Sequence, residues 1–223
     1  LKRCLDSVDG LFDEIVVVDT GSTDNTKLSA LLFNAKIYDF KWIDDFSAAR
    51  NFSFSKCTSE YIMWLDADDV ILPHHMSELL KFKRQPHTSD TFLLPYHYAF
   101  DENDKPIVTL HTHRIVKRSI GLQWRYPIHE CLQVSHNHSQ VLVGIPVTHR
   151  RSINDAALDR GRNLRLLKSA VAVDCNDQRL KFYYAKELFN EGLLRESLSE
   201  LNDYFKLDGW HDDQIYGRYM MAM

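Results

Sequence analysis

The sequence lacks paired cysteines, long apolar runs and an excess of basic residues. Its 4 cysteines are scattered with no Cys-x-x-Cys pair, which argues against a disulfide framework and indicates reduced thiols in the cytoplasm. No apolar stretch approaches the roughly 20 residues that a transmembrane helix needs. The 27 basic and 31 acidic residues leave a net charge of −4, so no nucleic-acid partner is expected.

The rest of the composition is that of a globular protein with one good core and a small second unit, since 44% of its 223 residues are hydrophobic. Its histidines include 6 between positions 111 and 149. A zinc site on His111 and His113, or on His136 and His138, is one interpretation. No cysteine or carboxylate stands at ligand spacing beside them, which favours solvent-facing positions on strands instead.

An apolar run from Tyr61 to Leu65 ends in a carboxylate triplet, Asp66, Asp68 and Asp69. Such a run predicts a buried strand, and ligands of α/β sheets bind beyond the carboxyl ends of strands. Side chains two residues apart on an extended segment point the same way, so Asp66 and Asp68 should aim at one point. That arrangement indicates Mg²⁺ or Mn²⁺ with substrate phosphates, and a solvated acidic turn is the alternative.

A second β-branched run, residues 15–18, ends at Asp19 and is followed by Gly21 and a polar helix start. Free N–H groups at a helix start bind anions, and an acidic residue at a strand end can accept hydrogen bonds from a sugar or base. The pattern therefore predicts a ligand site. An ordinary turn between a strand and a helix is the alternative, because glycine and asparagine are common there.

The segment 45–51 predicts a helix that is capped by Ser47 and runs to about Cys57. Arg50 then lies in its first turn, where a cation gains nothing from the helix dipole. Arg50 is therefore expected to bind a phosphate or a carboxylate, although an ordinary surface arginine would have the same sequence.

These three motifs, in this order and spacing, resemble the family-2 glycosyltransferases of the GT-A fold. The resemblance is carried by residues 18–24, by residues 46–51 and by 65–69, which contain the Asp-x-Asp motif. It covers about residues 1–150 and, more weakly, the remainder. It is greatest for bacterial members that join this domain to tetratricopeptide (TPR) helices, including the sublancin-type peptide S-glycosyltransferases.

The resemblance implies a metal-dependent, inverting transferase of the hexosyltransferase type that uses a nucleotide-sugar donor, usually a UDP-sugar. It implies that Asp19 and Arg50 lie near the nucleoside and diphosphate, and that Asp66 lies by the ribose or the metal. Asp68 would bind the Mn²⁺ or Mg²⁺ ion, and His149 ends a strand on the metal or diphosphate side.

The segment 124–130 resembles the part of the family that ends in His-Glu. The resemblance makes Glu130 the candidate base, and Asp69 is the next candidate.

The pattern of elements predicts an α/β fold, a Rossmann-like mixed sheet flanked by helices, followed by an α-helical segment. Strands are predicted at 15–18, 36–40, 61–65, 91–100, 107–117 and 140–149. Helices are predicted at 2–9, 25–33, 47–57, 73–83, 154–172, 178–191, 195–207 and 211–222.

The predicted domains are a GT-A domain at residues 1–150 and a TPR-like segment at 151–223. Residues 182–198 are similar to one TPR repeat, with Gly192 between the helices and Ser197 where a smaller residue is usual. A helical hairpin packed on the catalytic domain is the alternative. The tail is expected to hold the acceptor or to form a homo-oligomer. The sequence begins at what resembles the first helix of the fold, so the family's first strand and the end of the tail are expected to be missing.

The sequence thus predicts a glycosyltransferase that acts on a peptide, protein or glycan. A nucleotidyltransferase is one alternative, but it would carry a basic glycine-rich phosphate loop near the start, and none is visible. A catalytically degenerate GT-A/TPR scaffold is the other, and the intact Asp66, Asp68 and Arg50 argue against it.

Overall fold

The computed structural model describes residues 1–150, 161–207 and 209–223. By spatial proximity the chain divides into two compact units. The first unit consists of Leu1–Trp42, Ala49–Trp124 and Leu132–Ser152, and the second of Ile43–Ala48, Arg125–Cys131 and Ile153–Met223. The predicted domains, residues 1–150 and 151–223, stay a prediction.

Strands are concentrated in the first unit, and the longer helices of the tail belong to the second. The described strands are β1 (Val16–Asp19), β2 (Lys36–Asp39), β3 (Tyr61–Met63), β4 (Asp69–Val70), β5 (Thr91–Phe100), β6 (Pro106–Lys117), β7 (Trp124–Arg125), β8 (Cys131–Leu132), β9 (Gln140–Leu142) and β10 (Val147–His149). The described helices are α1 (Lys2–Ser7), α2 (Thr26–Leu31), α3 (Phe46–Lys56), α4 (Pro73–Lys83), α5 (Arg162–Val173), α6 (Gln178–Asn190), α7 (Leu194–Tyr204) and α8 (His211–Ala222).

The first unit contains two sheets. β1 and β2 are parallel, with Val16 opposite Lys36 and Asp19 opposite Asp39. The larger sheet has the order β3-β6-β5-β10-β4, and β9 pairs with β5. Within it β5 and β6 form an antiparallel hairpin, β10 is parallel to β5, and the short β4 is antiparallel to β10. This mixed sheet with flanking helices confirms the α/β class predicted from the sequence.

The core of the first unit is built on the inner face of the larger sheet. α4 begins at Pro73, whose fixed φ suits a first helical turn, and it buries Leu79 against the sheet. The central strands contribute Leu94 and Val147, each with 0% exposed surface. Ile71, directly after β4, is 2% exposed and joins the same cluster. The burial of these apolar side chains fixes β4 and β10, at whose ends the acidic and histidine side chains lie.

The second unit has two apolar clusters among its described residues. One joins Ile128 to Leu166 and Leu167 of α5 and to Leu180 of α6. The other lies between α6, α7 and α8 and consists of Phe182, Ala185, Leu201, Tyr204 and Met220. No helix in the described ranges is long and apolar enough to cross a membrane.

The α6–α7 hairpin explains why serine is accepted at the position predicted to be imperfect for a repeat. Gly192 has a φ of 76°, a left-handed conformation that glycine adopts without steric cost, and it turns the chain between the helices. Ser197 is 1% exposed, and its hydroxyl donates to the carbonyl oxygen of Ala185 at 2.8 Å. Because this bond satisfies the buried hydroxyl, serine fits where only a small side chain has room.

Some predicted elements differ from the structure. The predicted strand 140–149 is two strands, β9 and β10, because Gly144–Pro146 interrupts it and β9 pairs at a different place. The helix α3 begins at Phe46, and its cap is Asp45 rather than Ser47. Asp45 accepts hydrogen bonds from the backbone N–H of Ala48 at 2.9 Å and from the Ser47 hydroxyl at 2.7 Å. The first part of the helix predicted at 154–172 lies outside the described residues.

Glu14 links the start of β1 to the chain before β3. Its carboxylate accepts hydrogen bonds from the backbone N–H groups of Thr58 and Ser59, and Lys36 donates to it at 2.9 Å. Burial alone would raise the pKa of Glu14, but the bonds from Lys36, Thr58 and Ser59 lower it from 4.5 to about 2. The ionised carboxylate is therefore part of the contacts that hold the two sheets of this unit together.

A depressed folded-state pKa contributes stability that is present above the unfolded value and is lost as the pH falls toward the folded value. Replacement of Glu14 by glutamine should therefore reduce stability at pH 7 and flatten its decline between about pH 4.5 and pH 2. Chemical denaturation across this range measures both effects. Glu60→Gln, at a 71% exposed side chain, is the control. Parallel pH curves for parent and Glu14→Gln would contradict the prediction.

Candidate active site

The carboxylate triplet lies in a tight turn between β3 and β4. The backbone N–H of Asp69 donates to the carbonyl oxygen of Asp66 at 3.0 Å, and the N–H of Asp66 donates to the Asp69 side chain at 3.0 Å. These two bonds close the turn. Asp69 is also the first residue of β4, a strand that the sequence did not predict.

The pairing of β4 with β10 brings His149 to the triplet, since His149 lies directly opposite Asp69 in the register. The His149 Nδ1 atom is 3.7 Å from Asp68 Oδ1 and 3.6 Å from Asp69 Oδ1. One ligand atom from each of Asp68, Asp69 and His149 lies within 4.8 Å of the other two. This cluster of two carboxylates and an imidazole is the candidate site, and Asp68 and His149, both singled out from the sequence, are in it.

Asp69 is held by a buried ion pair with Arg114 of β6. Both side chains are 0% exposed, and Arg114 Nη1 donates to Asp69 Oδ2 at 2.7 Å. The guanidinium lies between the rings of Trp64, at 3.7 Å, and Tyr96, at 4.2 Å. Asp69 Oδ1 has no hydrogen-bond partner within the described parts of the chain. Asp69 stays a prediction as the second candidate for the base, and its complete burial and its pairing with Arg114 argue against that role.

The charges of the cluster shift one another's pKa values. Burial raises the pKa of Asp69. The hydrogen bond with His149 and the charge of Arg114 lower this pKa by a larger amount, so it lies below its usual value. Burial and the neighbouring Asp66 and Asp69 raise the pKa of Asp68, against the opposing effect of His149. The carboxylates in turn raise the pKa of His149, Asp69 foremost, although burial opposes them. The site thus concentrates negative charge, which the surrounding cations compensate only in part.

His149 is oriented by the aromatic side chains of β5. Its Nδ1 atom is 2.9 Å from the hydroxyl of Tyr96, which is a hydrogen-bond distance and shorter than either carboxylate contact. The ring of Tyr98 stacks on the imidazole at 5.2 Å and 10°. Burial raises the pKa of the Tyr96 hydroxyl, and Asp69 adds to the effect, so this group stays protonated. The two rings fix the plane in which the imidazole can present a ligand atom.

Arg50 and Asp66 form a second pair beside the cluster. Arg50 Nη2 donates to Asp66 Oδ1 at 2.7 Å, and the guanidinium is 4.8 Å from the ring centroids of both Trp64 and Trp124. The expectation that Arg50 would bind a carboxylate or a phosphate is thus met by a carboxylate of the Asp-x-Asp motif. Asp66 is not part of the cluster formed by Asp68, Asp69 and His149.

Asp19 stabilises the turn that follows β1. Its side chain is 2% exposed and accepts hydrogen bonds from the N–H groups of Gly21 at 3.2 Å and Ser22 at 3.1 Å, and Lys27 is 3.6 Å away. Burial raises the pKa of Asp19, but the bonds from Ser22 and Gly21 outweigh it, so the net shift is downward. A predicted ligand residue is thus also the residue that gives the Gly21 turn its shape.

Glu130 belongs to the second unit, in the segment between β7 and β8. It is half-buried and follows His129, whose φ of 50° is in the left-handed region. The other predicted histidines differ in exposure. His111 is exposed, whereas His113 is half-buried and its Nδ1 is 3.2 Å from the Thr91 hydroxyl. The expectation that both face solvent is therefore correct only for His111.

A cavity of about 410 Å³ in the first unit lies beside β1 and β3 and is lined mainly by apolar side chains. Arg50 lines it, but Asp68, Asp69 and His149 do not. The cluster therefore lies outside this cavity, and the cavity by itself defines no site.

Residues 1–154 match the family model described as glycosyl transferase family 2. This chain belongs to glycosyl transferase family 2. The resemblance found in the sequence is thereby confirmed, and with it the prediction of a domain of the glycosyltransferase type. Membership also agrees with the mixed sheet of the first unit.

Two curated relatives extend this finding. The chain is 27% identical over 219 residues to the SPbeta prophage-derived glycosyltransferase SunS of Bacillus subtilis, covering 92% of this chain and 49% of SunS. It is 43% identical over 86 residues to a TPR repeat-containing protein of Synechococcus elongatus, covering 39% of this chain and 21% of that protein. The chain therefore spans about half, or less, of the length of these relatives.

Two solved structures are similar to this chain at low sequence identity. One is the glucosyl-3-phosphoglycerate synthase of Mycobacterium tuberculosis in complex with Mn²⁺, UDP and phosphoglyceric acid, at 15% identity and a TM-score of 0.45, covering 76% of this chain and 70% of that chain. The other is residues 1–349 of TarS from S. aureus, at 15% identity and a TM-score of 0.43, covering 95% and 72%.

Removal of Arg114 tests the buried pair. Arg114→Met should lower the free energy of unfolding by about 3–5 kcal/mol, because Asp69 is left as an uncompensated buried charge. Arg84→Met, at an exposed arginine of the same unit, should change it by less than about 0.5 kcal/mol. Chemical denaturation gives both values. Equal, small losses in the two variants would mean that Asp69 does not depend on Arg114.

Proposed function

We propose that this chain carries the catalytic domain of a metal-dependent, inverting glycosyltransferase. It would transfer a sugar from a nucleotide-sugar donor, a UDP-sugar, to a peptide, protein or glycan acceptor. The observation that carries the proposal is the cluster of Asp68, Asp69 and His149 at the strand ends of a family-2 chain. Similarity to the glycosyltransferase SunS over 92% of the chain supports the type of reaction.

The donor atoms of the cluster suit a divalent cation. Carboxylate oxygens are preferred by Mg²⁺ and Mn²⁺, and an imidazole nitrogen is a common further ligand of transition metals. Asp69 Oδ1 is buried 3.6 Å from His149 Nδ1 and has no hydrogen-bond partner among the described residues, so a cation would satisfy it. Asp68 and His149 would hold the ion, with Asp69 beside them. When bound, the ion would neutralise negative charge on the leaving diphosphate.

The Arg50–Asp66 pair and the Asp19 turn would hold the nucleotide. The Arg50 side chain is 22% exposed, and a guanidinium has enough donors to contact a phosphate while it keeps Asp66. The Asp66 side chain is 36% exposed, and its carboxylate can accept a hydrogen bond from a ribose hydroxyl. Asp19 would act near the nucleoside, through the turn that it shapes.

Glu130 would act as the general base. It would take the proton from an acceptor hydroxyl or thiol as that atom forms a bond to the anomeric carbon. The bond from the anomeric carbon to the diphosphate oxygen breaks in the same step, on the opposite face of the sugar, so the configuration is inverted. A thiol acceptor would need less help from the base, because its pKa lies closer to neutrality.

Asp68 provides the test of the metal. Parent protein should gain thermal stability from UDP with Mn²⁺, because a ligand that binds only the folded state stabilises it. Asp68→Ala should lose this gain while its stability without ligand changes little, since Asp68 is half-buried and makes no contact in the core cluster. Asp9→Ala, at an exposed carboxylate of the same unit, should respond as the parent does.

Calorimetric titration of the same variants with UDP and Mn²⁺ shows whether Asp68 contributes to binding. Unchanged UDP–Mn²⁺ affinity in Asp68→Ala would rule out Asp68 as a ligand. A parent protein that does not respond to UDP with Mn²⁺ would instead favour the degenerate scaffold.

Glu130→Gln tests the base. Glutamine keeps the size of the side chain and removes the proton acceptor, so transfer should fall by roughly a hundredfold or more. Affinity for UDP and Mn²⁺ should change little. Glu102→Gln, at an exposed glutamate of the β5–β6 hairpin, is the matched control. Transfer at near the parental rate in Glu130→Gln would assign the base elsewhere.

A further inference from the structure

The backbone around Glu130 contains two residues in an unfavourable conformation, which contacts with other parts of the chain must hold in place. Within the segment 125–131, Tyr126 has a φ of 79° and His129 a φ of 50°. The left-handed region costs a non-glycine residue about 1–2 kcal/mol, and it is especially unusual for a bulky side chain such as tyrosine. Residues in such conformations persist only where surrounding contacts hold them. The contacts that hold this segment therefore decide where the Glu130 side chain is placed.

The contact nearest to Glu130 comes from Arg179 in the first turn of α6. Its Nη2 atom donates to the carbonyl oxygen of His129 at 2.9 Å, and its Nε atom donates to the same oxygen at 3.3 Å. This carbonyl belongs to the peptide group that joins His129 to Glu130. A charged, planar donor that reaches one oxygen with two N–H groups fixes the orientation of that peptide.

A second contact comes from Tyr183, one turn further along α6. Its ring stacks on the His129 imidazole with the centroids 4.2 Å apart and the planes 20° apart. The Arg179 guanidinium is 4.9 Å from the centroid of the same tyrosine ring, so both His129 and Arg179 contact Tyr183. Burial, with the charges of Lys186 and Arg179, lowers the pKa of His129 to about 4. The imidazole is therefore neutral near pH 7 and packs as an aromatic plate.

The other end of the segment is tied to the same helix. The Tyr126 hydroxyl donates to Asp177 Oδ2 at 3.1 Å, while Asp177 Oδ1 accepts from the N–H of Leu180 and so caps α6. Between the two ends, Ile128 is 5% exposed and packs in the cluster that contains Leu180. Three side chains of one helix terminus thus hold both left-handed residues of the segment.

We propose that Arg179 and Tyr183 are positioning residues of the transferase, and that they fix the backbone from which Glu130 acts. The inference rests on the proposed role of Glu130 as base. It gives the TPR-like tail a part in the chemical step in addition to any acceptor binding. Neither residue takes up a proton from the acceptor; both act through the His129–Glu130 peptide.

The test combines kinetics with binding. Arg179→Met removes both donors to the His129 carbonyl, and the rate of transfer should fall by about 10- to 100-fold, the loss expected when a catalytic group is misplaced by about 1 Å. UDP–Mn²⁺ affinity, measured by calorimetry, should stay within about twofold of the parent. Arg195→Met, at an exposed arginine of α7, should have no effect on either quantity.

A conservative series at Tyr183 guards against simple misfolding. Tyr183→Phe keeps the ring that stacks on His129 and should retain transfer, whereas Tyr183→Leu removes the stack and should lower it as Arg179→Met does. In the Glu130→Gln background, Arg179→Met should add little further loss, because the group that it positions is already absent.

The outcomes separate this inference from the function on which it rests. A fall in transfer for Glu130→Gln with none for Arg179→Met would overturn the positioning role and leave the base assigned. No fall for Glu130→Gln would overturn both. Losses that multiply in the double variant, or an equal loss for Tyr183→Phe and Tyr183→Leu, would show that α6 acts only as structural support.

Discussion

The buried ion pair between Asp69 and Arg114 is the interaction on which the candidate site depends. Burying two charges is unfavourable unless each is paired and bonded, and here the 2.7 Å contact is joined by the rings of Trp64 and Tyr96. Asp69 in turn closes the acidic turn at the N–H of Asp66 and starts β4. Because β4 pairs with β10, the same residue determines where His149 lies. The pair therefore fixes the geometry of the cluster while leaving Asp68 directed away from the core.

The periodicity of the sequence predicts the larger elements, because long apolar runs leave few alternatives. β5 and α4 have the predicted bounds, whereas β4 was missed because two residues cannot show a repeat of polar and apolar positions. Arg114 was missed for a related reason. It ends a run of four polar residues, 111–114, in β6, and a buried arginine looks like a solvent-facing one in the sequence. Only the register of β6 against β3 shows that its partner is Asp69.

The residues of the site could be named from the sequence more reliably than their contacts. Asp68 and His149 were singled out by a motif and a resemblance, and the sheet brings them to 3.7 Å. The expectation that Asp66 and Asp68 aim at one point stays a prediction, and alternation cannot support it, because β3 ends at Met63 and a turn follows. Side-chain alternation holds only while the chain is extended. Asp66 pairs with Arg50, and Asp69 lies with Asp68 and His149 in the candidate cluster.

The helices of the tail make specific contacts with segments that precede them in the sequence. The second unit takes residues from three separate parts of the chain, and they are joined by specific contacts. Phe46 N–H donates to the carbonyl of Pro127 at 2.9 Å, Arg165 pairs with Asp44, and Arg179 holds His129. The last two of these contacts link residues on either side of position 150. A repeat that only captured a partner would not need them, so we infer that α5 and α6 were retained for the stability of the 125–131 segment as well.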